Sequence, residues 1–80
     1  MLIALGKENS LRRGDIIGVF DLDITSQSAL TRRFLREAEK KGMVVNTAED
    51  IPKSFVVCAE DGKDTVYLHQ MLPGALIKRI

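Results

Sequence analysis

Few side chains in this chain have both the type and the spacing for chemistry. His69 is the only histidine and Cys58 the only cysteine. A Ser–His–Asp relay needs a serine held beside the imidazole, and no Gly-x-Ser-x-Gly elbow occurs to present one. One histidine and one cysteine are too few soft ligands for a zinc site within one chain. Asp21-Leu22-Asp23-Ile24-Thr25 brings two carboxylates close in sequence, but the later glycine and distant glutamate of a calcium loop are missing. That segment reads as a turn and helix entry. Gly6 and Gly14 are too isolated to cradle a phosphate. The expectation is no enzyme, no cofactor and no metal.

What remains is a cluster of cations. The stretch SQSALTRRFLREAEKKG, residues 26–42, has the periodicity of an amphipathic helix. Ser26 or Ser28 offers a hydroxyl to the open N–H groups of the first turn. Gly42 suits the left-handed backbone that closes a helix. At about 100° per residue, Leu30, Thr31, Phe34, Leu35 and Ala38 share one arc, expected to pack on a core. Arg32, Arg33, Arg36 and Lys40 share the opposite arc, with Glu37 and Glu39 at its borders. Such a face is either simply solvated, with Arg33–Glu37 and Glu37–Lys41 as i,i+4 pairs, or turned toward phosphates.

The elements that position this helix are short. Residues 2–5 read as an apolar strand, 6–10 as a polar turn, and 15–21 (DIIGVFD) as a strand with β-branched and aromatic content. Gly18 inside it marks a bulge or a close backbone approach. Residues 43–46, 54–58 and 65–69 read as three further strands, the last two joined through Asp61-Gly62, a strong hairpin signal. Pro52 keeps the intervening loop out of a ladder. Pro73 opens a C-terminal helix over 73–80 with an apolar edge of Leu76, Ile77 and Ile80. The three phenylalanines fall at expected core positions, Tyr67 faces outward, and His69 sits at the surface or partly packed. That is too little aromatic surface for base stacking on a single strand.

Eighty residues make one domain with a small core. A lone cysteine excludes a disulfide within the chain, and its apolar setting, SFVVCAE, reads as a buried thiol. The opening MLIAL is too short for a signal-peptide core and no run reaches the length of a membrane span. The expected location is therefore the cytoplasm, with no membrane partner. Twelve basic and eleven acidic residues leave a net charge of +1. A nucleic-acid surface must then arise by gathering charge on one face, or by repeating that face in an assembly. Strands apolar on more than one side point to cover by a neighbouring subunit.

The run DIIGVFDLDITSQSALTRRFLREAEKKGMVV, then PKSFVV, VYL and ALIKR, resembles the RemA/RemB extracellular matrix regulatory proteins of bacteria, the RemB branch more closely. The resemblance spans residues 5–79. It implies a DNA-associated regulator: the RemA branch activates biofilm-matrix and osmoprotection genes and assembles into closed rings that bind DNA through repeated basic surfaces. Arg32 and Arg33 match a basic pair carried by that branch, and Arg13 lies near an arginine associated with assembly. Where RemA-type sequences place DNA-contacting arginines in a loop, this chain reads Glu49-Asp50-Ile51-Pro52-Lys53, so Lys53 is the cation left there.

The sequence thus leads to a single α+β domain over residues 1–80. It has a small mixed or antiparallel sheet of about five short strands, one main amphipathic helix and a short C-terminal helix. The expected function is transcriptional regulation by a ring-forming homo-oligomer. It would contact double-stranded DNA through Arg32, Arg33, Arg36, Lys40 and Lys53, with Arg13 at the oligomer interface. The alternative is an oligomeric interaction module without DNA affinity of its own, serving a paralogous regulator.

Overall fold

Asp61 and Gly62 close a two-residue turn, with φ of 50° and 80°. Two successive positive φ values give the turn whose twist matches a pair of antiparallel strands. It joins β5 (Ser54–Glu60) to β6 (Lys63–His69), paired in full register from Ser54↔His69 to Glu60↔Lys63. The computed structural model describes residues 2–5, 10–25 and 27–79. The remaining elements are β1 (Leu2–Ala4), β2 (Ser10–Arg12), a 3-10 turn (Arg13–Asp15), β3 (Ile16–Asp21), α1 (Leu22–Thr25), α2 (Ala29–Lys40), β4 (Val44–Asn46) and α3 (Pro73–Ile77).

The main sheet runs β3-β5-β6-β4. Its first three strands are antiparallel and β4 is parallel to β6, so the sheet is mixed. Strand periodicity splits its residues between two covered faces. On one, Val56, Cys58 and Tyr67 pack with Ile16, Val19 and Val45 beneath Leu5, Leu11 and Leu76, which come from the β1–β2 ribbon side and α3. On the other, Phe55 and Val66 meet Ala38 of α2, with Leu35, Met43 and Val44 around them. The result is a small α+β domain with a mixed sheet, one longer helix and a short C-terminal helix, as the sequence leads one to expect; the arrangement in three layers is the structure's own.

Several expectations are corrected. Ser10–Arg12 forms a sixth strand that only antiparallel pairing with Leu2–Ala4 reveals. The turn and helix entry expected at residues 21–25 takes the form of a helical turn over 22–25, capped by the Asp21 carboxylate accepting from Ile24 N–H at 3.0 Å. β5 and β6 reach further toward the turn than 58 and 65, because the hairpin ladder continues to it. α3 stops at Ile77. Tyr67 is buried rather than outward, and His69 is fully buried rather than at the surface or partly packed, since both faces of β6 are covered. Residues 6–9 of the turn expected over 6–10, the alternative cap Ser26 and the last apolar position Ile80 lie outside the described residues.

Candidate nucleic-acid interface

The basic helix is fixed at both ends by its own sequence. Ser28 Oγ accepts from Thr31 N–H at 3.5 Å, which makes Ser28 the N-cap. At the other end Met43 N–H bonds Ala38 O at 2.9 Å and Gly42 N–H bonds Glu39 O at 3.0 Å. With Gly42 at φ 71°, this is a Schellman closure. Between these caps the helix buries Ala38 and half-buries Thr31 and Leu35. Residues about 180° from Ala38 on the helical wheel are Lys40, Arg33 and Arg36.

All four helix cations are exposed. Arg33, Arg36 and Lys40 form one outward stripe. None of these three makes an ion pair with a described residue, since the ion pairs found are Arg12–Asp15 and Arg12–Asp61. The i,i+4 pairs of Glu37 with Arg33 and Lys41, expected from spacing, therefore do not form. Arg32 stands apart from the stripe, and its Nη1 donates to the Gln27 carbonyl at 3.0 Å. That bond pulls it back toward the helix start.

Lys53 is exposed but on another element, the loop ahead of β5. Its N–H donates to His69 O at 2.8 Å and its carbonyl accepts from Leu22 N–H at 2.9 Å, which anchors the backbone and leaves the side chain outside. Glu49 and Asp50 are exposed in the same loop. Arg13 is exposed in the 3-10 turn. Its neighbour Arg12 donates from Nε to Asp15 Oδ2 at 2.8 Å, a bond that raises the guanidinium pKa further.

The buried polar groups sit away from this surface. Burial, then the charges of Glu60 and Asp15, push the Cys58 thiol up to about 11. A thiol so placed is a poor nucleophile. Burial, then the bond from its hydroxyl to Glu60 Oε1 at 2.7 Å, push the Tyr67 phenol up. Burial, then nearby Arg79, push His69 down, and its Nδ1 accepts from Met71 N–H at 3.1 Å. Cys58 and Tyr67 belong to the core cluster that holds Leu5, Leu11 and Leu76. No group of three or more metal-ligating side chains occurs among the described residues. Nor is any helix among them long and apolar enough to cross a membrane.

One feature of α2 departs from the sequence expectation. Leu30 is 79% exposed and Phe34 41%, although both lie on the apolar arc. The helix contacts β4, and between it and β3 a groove remains. Ile17 (64% exposed) and Phe20 (38%) line that opening opposite them. The groove holds about 340 Å³, and Phe55 and Val57 form its floor. Phe20 stacks on Phe55 with ring centroids 5.1 Å apart. Gly18 makes room for that ring, because a Cβ there would lie 2.8 Å from it. The bulge expected at Gly18 is present as a register shift between Ile16 and Gly18. The open apolar surface had one sequence signal, the excess of apolar strand over what a short chain can cover.

Compared with known proteins, the chain matches no family model and no curated protein.

Proposed function

We propose that this protein is a DNA-associated transcriptional regulator that works as a homo-oligomer, a closed ring in the form the RemA/RemB resemblance implies. The observation that carries this reading is the stripe Arg33, Arg36 and Lys40, exposed and without carboxylate partners among the described residues. Arg33 to Lys40 spans about 10 Å at about 1.5 Å per residue. A DNA strand advances about 3.4 Å per phosphate, so one stripe meets about three phosphates. The roles assigned are phosphate contact alone, which fixes position without reading bases. Arg32 and Lys53 extend the surface at its margins.

Three contacts give a salt slope of about −2.7 per copy, an affinity loss of about 40-fold between 50 and 200 mM salt. One such patch binds weakly on a chain of net charge +1. Repetition around an assembly converts further contacts into intramolecular ones and supplies the affinity. The test is a salt series of duplex binding for the native protein and for Arg33→Gln/Arg36→Gln. The variant is expected to flatten the slope by about 1.8 for each engaged copy. Unchanged duplex affinity after charge reversal, Arg33→Glu/Arg36→Glu, would refute this site.

The exposed acids Glu49 and Asp50 favour a second reading, in which the assembly is an interaction module for a paralogous DNA-binding regulator. Tight duplex binding by the purified protein alone would reject it.

A further inference from the structure

We infer that the groove between α2 and β3 is a binding site for a medium-chain carboxylic acid, its tail lying between helix and sheet and its carboxylate on Arg33. Ile17 and Phe20 of β3 and Leu30 and Phe34 of α2 form the walls, over a floor of Phe55 and Val57. Strand alternation sets residues 17 and 20 on opposite faces. The bulge between Ile16 and Gly18 re-aims the strand and brings both side chains to the groove. Thr31 is the one polar side chain in the lining, so the part of an occupant that lies along it must be apolar. The wall is set before anything binds: Phe20 stacks on Phe55, and Gly18 leaves the space that the Phe20 ring fills. A site shaped in advance loses little free energy to ordering when it fills.

The size fits a small molecule rather than a protein. A large apolar side chain presents about 150–250 Å² at full exposure. At the exposures found, Ile17, Phe20, Leu30 and Phe34 together leave on the order of 400 Å². A stable protein interface takes about 800 Å² from each partner. Ligand pockets begin at about 300 Å³, and this groove holds about 340 Å³. An apolar cavity of about 150 Å³ takes the six carbons of benzene. At that packing, and with one side open, the groove takes about ten to twelve carbons.

The rim calls for an anionic head. Arg33 follows Leu30 by three positions, the spacing of neighbours on a helix surface. It is exposed and makes no ion pair with a described residue. Glu37 stands in the same relation to Phe34, so an anion is favoured at the Leu30 end of the helix wall and repelled at the Phe34 end. A carboxylate at Arg33 accepts two parallel charge-assisted bonds from the guanidinium, a geometry that an alcohol cannot match. The inference does not depend on DNA binding, although the two readings share Arg33.

The experiment is isothermal titration of the full chain with decanoate, below the concentration at which it forms micelles. NMR shifts of the Ile17 and Leu30 methyl groups place the bound acid, and circular dichroism establishes folding of each variant. Saturable binding at one site per chain is expected. Lengthening the acid from octanoate to decanoate should strengthen binding about two- to fourfold per methylene, and the gain should stop beyond about twelve carbons. Leu30→Glu alters a side chain that is already mostly exposed, so the fold survives, and it is expected to weaken decanoate binding at least tenfold. Arg33→Gln is expected to weaken decanoate several-fold and to leave decanol unaltered. Decanoate that fails to saturate, shifts that lie elsewhere, a folded Leu30→Glu protein of unchanged affinity, or equal effects of Arg33→Gln on acid and alcohol would overturn the proposal. Retained decanoate binding by a protein that ignores duplex would fault the DNA reading alone.

Discussion

Leu76→Ala tests how the layer of β1, β2 and α3 is held. α3 has only five residues, far below the length at which an isolated helix is stable in water. Its place therefore depends on packing, and Leu76 is its one buried side chain among those described. Leu76 packs in the same cluster as Leu5, Leu11, Val56 and Tyr67. Truncating a buried leucine costs about 2–5 kcal/mol, set by how far the site collapses. A five-residue terminal helix can settle partly into the gap, which places the expectation near 3 kcal/mol. A domain of this size has about 4–12 kcal/mol in total, so the loss is a large fraction and corresponds to a fall in Tm of about 12–24 °C. The adjacent Ile77 is 54% exposed and outside that cluster, so Ile77→Ala is expected to cost under about 1 kcal/mol. Urea denaturation followed by circular dichroism, at one protein concentration throughout, reads both. Equal losses for the two variants, or a Leu76→Ala loss below about 1 kcal/mol, would refute the assigned packing.

Further expectations follow from buried groups and turns. His69 has its pKa lowered by burial, then by Arg79, so the unfolded chain takes up its proton more readily than the folded one. Its contribution to stability is present above the unfolded pKa of about 6.5 and declines as pH falls below it. Tm should therefore drop between pH 7 and 5, and His69→Asn should flatten that part of the profile; an unaltered profile would contradict the role. Gly62→Ala, at φ 80°, is expected to cost about 1 kcal/mol by chemical denaturation, whereas Gly14→Ala, with open space and no positive φ, should be near neutral. Cys58 in the native protein should resist alkylation at pH 8 and react only on unfolding, which a mass-shift assay reads directly.

The elements legible in the sequence were those written in local chemistry. A serine at 26 or 28, Gly42 and Asp61-Gly62 specify caps and a turn whatever the rest of the chain does, and Ser28, Gly42 and Asp61-Gly62 are found in those roles. Ser10–Arg12 was not legible because three residues with one apolar member carry no period, and only Leu2–Ala4 across the ladder makes them a strand. Alternation along β6 suggests one wet face, with Tyr67 outward and His69 at the surface or partly packed. Cover on both sides removes it, and the Glu60 and Met71 bonds satisfy the polar atoms that burial would otherwise strand. The cation stripe was legible from helical periodicity. The bond that draws Arg32 aside was not, since it depends on where the Gln27 carbonyl points. Leu30 and Phe34 fall on the apolar arc, yet sequence cannot say toward which strand the helix leans.

The most direct test of the central claim is light scattering on the protein eluting from a sizing column. It would be run alone and with a duplex of several helical turns, at low and moderate salt. The account predicts an oligomer that moves onto the duplex at low salt and is released at moderate salt. An oligomer that ignores duplex at every salt concentration would contradict it.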